Sequence, residues 1–187
     1  TSRRLGVKVC GHPKAMNRAS AAFDRSARKL SNYGLQLLEK QRLRAYYNVM
    51  ERQFKGYVEK AMKHHGLTGE VLVQQLETRL DNLVYRIGLA HSIRQARQMV
   101  NHGHVLLNGK KVTIPSHAVN IGDTITLREK SRQNQHFVGF FQESPHRSYP
   151  YLEILSEEFG GRLIQHPKRE DIPIEVNDQL VVEFYSK

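Results

Sequence analysis

The chain has 187 residues, 39% of them hydrophobic, with 29 lysines and arginines against 18 aspartates and glutamates and a formal net charge of +11. That balance supports a folded core in one or two modest domains and a large polyanionic partner. The single cysteine, Cys10, excludes an internal disulfide framework or a cysteine-rich zinc site within the chain. No apolar run approaches the roughly 18 residues of a membrane span and no signal-peptide pattern opens the chain, so nucleic acid is the better anion than a membrane.

Charge is not spread evenly. Residues 1–66 hold 15 basic and 4 acidic side chains, 67–78 carry −2, 79–132 hold 9 basic and 3 acidic, and 133–187 hold 5 basic and 9 acidic. In chain order, 1–32 lacks periodicity and is rich in Arg, Lys, Ala and Ser, which predicts an extended basic arm that orders against an anion. Arg3, Arg4 and Lys29 are its candidate contacts. Helical patterning begins at Tyr33, with Leu35, Leu38, Leu43, Tyr46 or Tyr47 and Met50 near one face. A cleaner stripe follows at Phe54, Tyr57, Val58, Ala61 and Met62, closed by Gly66. A third runs through Leu72, Leu76, Leu80, Leu83, Val84 and Ile87 across a bend.

Beyond Ile87 the elements shorten. Gly88 ends a helix, and Ser92 with Gln95 three residues later forms a capping-box signature for the next. On that helix Ile93, Ala96 and Val100 share one face, while Arg94, Arg97, Gln98 and Asn101 share the other. Gly103 suits the exit, and Asn108-Gly109 between His104–Leu107 and Lys110–Thr113 is a two-residue hairpin signal. Two arginines, two amides and two lysines so arranged suit phosphate oxygens, although basic faces are common on ordinary solvated helices. Thr124–Arg128 alternates as a half-buried strand. Ser131 to Glu143 returns to helix, with Phe137, Phe140 and Phe141 expected in the core rather than stacked on bases. Tyr149 to Lys187 reads as short strands and turns, ending in a β-forming run at Leu180–Phe184.

Ten histidines raise the question of a metal. Cys10 with His12, His64 with His65, and His102 with His104 fall in pairs, but no group supplies four clustered nitrogen or sulfur ligands. No metal and no cofactor are expected. Arg79-Leu80-Asp81 resembles the setting of the catalytic aspartate in pseudouridine synthases. Asn82-Leu83-Val84-Tyr85 follows in place of their Gly-rich stretch, so Asp81 paired with Arg79 or Arg86 is the better reading. No phosphate loop, nucleophile elbow or acid–base carboxylate pair appears elsewhere, and no enzyme is expected.

The run from Glu77 to Ala90, Arg94–Gln98, His102–His104 and Asn108-Gly109 resemble the small ribosomal subunit protein S-four family of the bacterial type. Glu39–Arg44, Glu51–Phe54, Arg128–Arg132 and Asn177–Lys187 extend the likeness over roughly residues 30–187. The resemblance implies an α+β protein: a basic arm (1–32), a helical domain (33–78), an inserted RNA-binding module of two helices and short strands (79–141), and a C-terminal segment (142–187) that packs back on the helical domain. It also implies a primary binder of small-subunit ribosomal RNA at a 5′-domain helix junction, acting in assembly and translational accuracy. Such a protein lies beside ribosomal protein S-five and near the path by which messenger RNA enters, in the cytoplasm or in an organelle with bacterial-type ribosomes. By position Arg79, Arg94, Arg97, Gln98, His102, Asn108, Lys110 and Lys111 would face RNA in the module. Lys40, Arg42, Arg44, Arg52 and Gln53 would do so in the helical part, and Lys130 and Arg132 on the segment leaving the module. Cys10 alone matches the metal-free branch, and Ala19–Arg28 departs from the family's usual Pro- and Gly-rich stretch. A diverged paralogue acting as a free RNA-binding translational regulator is the alternative.

Overall fold

The computed structural model describes residues 2–7, 9, 30–143 and 149–186, with Arg3 described in its backbone only. The chain divides into two compact units, one formed by 1–73 with 173–187 and the other by 74–172.

In the first unit, helix α1 (Ser2–Leu5) precedes α2 (Asn32–Tyr46), α3 (Glu51–Met62) and the start of α4 (Thr68–Glu77). The expectation of an extended arm fails at its first residues. Leu5, Val7 and Val9 are buried against Leu38, Ala45 and Tyr46, and Arg42 Nε donates to the Leu5 carbonyl at 2.8 Å. Apolar side chains within a basic stretch found a helix face to cover. Residues 10–29 of the arm, Lys29 among them, lie outside the described residues.

Ser31 caps α2 by accepting from the Gly34 N–H. The buried side of α2 is Gln36, Glu39, Lys40 and Leu43, whereas Leu35 and Met50 are exposed. The apolar face expected there thus holds at Leu43 and Tyr47, and shares the buried side with Glu39 and Lys40, which are paired to Arg42 and Glu51. In α3 Phe54, Val58 and Ala61 are buried as the spacing predicts. The β-run expected at Leu180–Phe184 is instead helix α9 (Asp178–Tyr185). Asn177 caps it, accepting from the Gln179 and Leu180 N–H groups, and α9 packs on α2. A capped amphipathic turn with a partner helix outweighs β-propensity, which spans only about 1 kcal/mol.

The second unit begins with the end of α4 and then α5 (Leu80–Ile87) and α6 (Ile93–Asn101). Arg79, extended at φ −66° and ψ 141°, makes the bend, so that Leu76, Leu80, Leu83, Val84 and Ile87 all reach the core. Gly88, at φ 94°, ends α5 with a left-handed cap. Strands β1 (Val105–Leu107), β2 (Lys110–Lys111), β3 (Thr124–Leu127), β4 (Leu152–Leu155) and β5 (Gly160–Leu163) form an antiparallel sheet in the order β2-β1-β3-β5-β4. Helices α7 (Glu129–Arg132) and α8 (Gln135–Glu143) lie between β3 and β4. Phe141 is in the core with Phe137 packed against it.

The segment 142–187, expected to return whole to the helical domain, is divided. Residues up to 172 belong with the sheet, and only 173–187 belong with α2. Gly160 explains the sheet's extension: a Cβ there would meet the Ile125 carbonyl oxygen at 2.1 Å, so only glycine lets β5 lie against β3 this closely.

Candidate nucleic-acid interface

Helix α6 is set by its start. Ser92 Oγ accepts from the Gln95 N–H at 3.2 Å, and Gln95 Oε1 accepts from the His91 N–H at 2.9 Å, one residue earlier than in a standard capping box. Ile93, Ala96, Met99 and Val100 are buried. That orientation leaves Arg94, Gln98 and Asn101 exposed on the opposite face, followed by exposed His102.

The hairpin reaches the same end of the helix. Asn108 and Gly109 both take positive φ, 50° and 75°, as a two-residue turn of this type requires, and Leu107 pairs with Lys110. Lys110 and Lys111 are exposed, and strand pairing stops at Lys111 rather than continuing to Thr113. The Lys111 side chain lies across Gly103, where an added Cβ would sit 2.0 Å from Lys111 Cε. A cation at this helix C-terminus suits the macrodipole. Arg94, Gln98, Asn101 and His102 on the helix side, with Lys110 and Lys111 on the hairpin side, form a cationic surface on a buried core. Sequence reasoning left Asn101 out of the candidate contacts, although it shares their stripe.

Other expected contacts are drawn inward. Arg79 is only 2% exposed, and its Nε and Nη2 donate to Asp81 Oδ1 and Oδ2 at 3.0 and 2.9 Å. Lys40 is 6% exposed; its Nζ donates to Glu51 at 2.8 Å and lies 4.5 Å from the Phe184 ring centre. Neither can face RNA. In each case a carboxylate held by the fold claims the cation: Glu51 lies 11 residues from Lys40, and Asp81 is the local partner expected for Arg79. Asn108 is exposed but its amide is engaged, donating to Asp123 at 2.7 Å and accepting from the Thr124 N–H at 2.8 Å. It fixes the hairpin rather than reaching out.

Four more arginines are half-buried and tethered. Arg42 pairs with Glu39, Arg44 with Glu51 at 2.8 Å, and Arg97 with Asp81 at 2.7 Å, while Arg132 donates to the Leu127 and Glu158 carbonyls at 3.0 Å. Arg4, Arg52, Gln53 and Lys130 are exposed. Lys60 and Lys63 on the far end of α3 are exposed as well, and were missed because they lie outside the quoted resemblance.

Electrostatics follow burial. Glu77 is fully buried and accepts from Arg86 Nε at 2.6 Å and from the Tyr151 hydroxyl at 2.7 Å. Burial and the neighbouring carboxylate push the Tyr151 hydroxyl well above the usual phenol range. Glu51, which accepts from Lys40, Arg44 and Tyr185, is raised by partial burial, but the hydrogen bonds from Lys40 and Tyr185 and the charges of Lys40 and Arg44 hold it below the usual carboxylate value. His104 Nδ1 lies 2.9 Å from Ser131 Oγ with its ring 5.0 Å from Phe137. Burial, then the charges of His102 and Arg128, lower its pKa, which favours the neutral ring.

Asp81, the residue that resembles a catalytic aspartate, has no exposed surface and both carboxylate oxygens accept guanidinium hydrogen bonds. It is unavailable to a substrate. Among the described residues no three His, Cys, Asp or Glu side chains gather as a metal site, and no helix is long and apolar enough to cross a membrane.

Comparison with known proteins adds an independent line. Residues 1–77 match the family model described as the ribosomal protein S4/S9 N-terminal domain, and residues 78–125 match the S4 domain. The chain is 54% identical to small ribosomal subunit protein uS4 of Finegoldia magna, an alignment spanning 100% of this chain and 94% of that one. It is 52% identical to small ribosomal subunit protein uS4B of Clostridium acetobutylicum over the same shares. Protein uS4 of Clostridium tetani is 50% identical over 90% of this chain and 82% of its own.

Proposed function

Because the chain belongs to the ribosomal protein S4 family, we propose that it is a non-enzymatic constituent of the small ribosomal subunit that binds small-subunit ribosomal RNA at a 5′-domain helix junction. The observation that carries this reading is that Arg94, Gln98 and His102 along the exposed face and end of α6, and Lys110 and Lys111 on the hairpin that reaches its C-terminal end, are all exposed and mounted on a buried core. In the helical unit Arg52 and Gln53 are the exposed contacts, with Arg42 and Arg44 half-buried behind them.

The mechanism is neutralisation and shape. Lysines and arginines displace condensed counterions from phosphates, so affinity falls steeply with salt. The major groove of duplex RNA is too deep and narrow to read, so recognition rests on junction geometry and 2′-hydroxyls. Such a grip holds the junction in its folded arrangement and nucleates assembly. In this role the protein lies beside ribosomal protein S-five and near the messenger RNA path, in the cytoplasm, and its fit influences translational accuracy.

Hydroxyl-radical footprinting on naked small-subunit ribosomal RNA tests the reading. The expected result is protection focused on one junction of the 5′ domain, lost together when Arg94 and Lys110 are replaced by alanine. Protection scattered evenly over all helices would overturn it.

A further inference from the structure

The Arg79-Leu80-Asp81 motif holds an aspartate that meets two arginines at once. Asp81 is a carboxylate shared by the buried Arg79 and the half-buried Arg97. Arg79 meets it from inside through Nε and Nη2. Arg97 meets it from α6, with Nε at 2.8 Å and Nη2 at 2.7 Å from the same Oδ2. The Arg97 side chain is 24% exposed while that of Asp81 is 0% exposed. Asp81 is itself immobilised, because its N–H donates to the Pro115 carbonyl at 3.1 Å and the Leu80 N–H donates to the His117 carbonyl at 2.9 Å. Along α6, Arg94, Arg97 and Asn101 fall at i, i+3 and i+7, so the tethered arginine lies in the middle of the exposed stripe.

A solvated arginine has many rotamers to lose on meeting a phosphate, and a planar guanidinium that is already anchored loses fewer. We propose that Asp81 is a positioning residue for RNA binding: it orients Arg97 in advance, so that the arginine acts as a directed phosphate contact rather than a diffuse charge. This rests on the ribosomal RNA reading above. It also assigns a purpose to the resemblance with a catalytic motif, since one aspartate on a bend can aim a neighbour instead of attacking a base.

Charge counting and positioning predict opposite signs, which makes the inference testable. Asp81→Asn removes a negative charge, so on charge alone RNA binding tightens; if Asp81 aims Arg97, binding weakens. Affinity for a 5′-domain ribosomal RNA transcript is measured against KCl concentration for the wild-type chain, Arg97→Ala, Arg97→Lys, Asp81→Asn and the Asp81→Asn, Arg97→Ala double variant. Thermal unfolding of each is recorded in parallel.

The expected result is that Arg97→Lys, which keeps the charge but lacks the two-nitrogen grip on one oxygen, loses about tenfold in affinity, as Arg97→Ala does. Both are expected to lower the slope of log affinity against log salt by about one. Folded Asp81→Asn weakens binding despite its added net charge, and the double variant is no weaker than Arg97→Ala alone. Asp81→Asn leaves Arg79 buried without its carboxylate; should it not fold, Arg97→Lys decides, because that side chain is partly exposed. Wild-type affinity and slope in Arg97→Lys, or tighter binding by folded Asp81→Asn, overturns the inference while the ribosomal RNA reading stands. A wild-type chain that does not bind the transcript defeats both.

Discussion

Glu51 in the helical unit and Glu77 in the sheet-bearing unit make the same kinds of bond and differ in exposure. Each accepts from a cationic side chain and from a tyrosine hydroxyl: Glu51 from Lys40, Arg44 and Tyr185, Glu77 from Arg86 and Tyr151. Yet the Glu51 side chain is 45% exposed and that of Glu77 is 0% exposed. Water competes for the first and is excluded from the second, so identical chemistry gives a soft clasp in one unit and a rigid buried core in the other. The cationic surface at α6 and the hairpin is mounted on the rigid one.

The largest expected effect breaks this contrast if it fails to appear. Glu77→Ala removes the buried carboxylate that the Arg86 guanidinium and the Tyr151 hydroxyl share, and stability in urea unfolding should fall by about 3–5 kcal/mol. A loss no greater than that of a Glu51 variant would mean that exposure does not separate the two. Next comes RNA affinity. Replacing exposed Lys110 by alanine should weaken ribosomal RNA binding several-fold and lower the salt slope by about one, whereas Lys40→Met should leave that slope unchanged because Lys40 is internal. Filter binding at graded KCl measures both.

Smaller still, Glu51→Gln keeps an acceptor for Tyr185 and should cost about 1 kcal/mol, a figure limited by the side chain's solvation. Its pH signature is more telling. A carboxylate held low in the folded state contributes stability that is complete above its ordinary 4.5 and lost as pH falls through the lower folded value. Urea midpoints between pH 5 and 3 should therefore flatten in Glu51→Gln. The smallest effect is at His104, whose lowered pKa favours the neutral ring. Its contribution is present above the ordinary 6.5 and lost as pH falls below it. Ring-proton NMR titration should place His104 below the ordinary 6.5, and His104→Phe should remove that shallow limb.

What was legible in the sequence was local. The Ser92 cap, the α6 stripe and the Asn108-Gly109 turn are each decided within about ten residues, and all three are where the spacing put them. The apolar series from Leu72 to Ile87 was legible because periodicity survives a one-residue bend at Arg79. What escaped was non-local. Asp81 meets Arg97 from 16 positions away, Lys40 meets Glu51 from 11 away and Asn108 meets Asp123 from 15 away, so Lys40 and Asn108 looked like surface contacts until the fold supplied their partners, while the Arg79–Asp81 pair was legible and only its burial was not. The last helix was hidden differently, since Val181, Val182, Phe184 and Tyr185 favour strands until the Asn177 cap and α2 decide otherwise.

Strand β2 carries a consequence beyond binding. It is the outermost strand on its side of the sheet, two residues long, and both residues are exposed lysines. An open border of unpaired backbone groups invites another polypeptide to add itself, and short, positively charged borders repel that addition. Neutralising Lys110 and Lys111 together should therefore raise self-association of the free protein, which sedimentation would read.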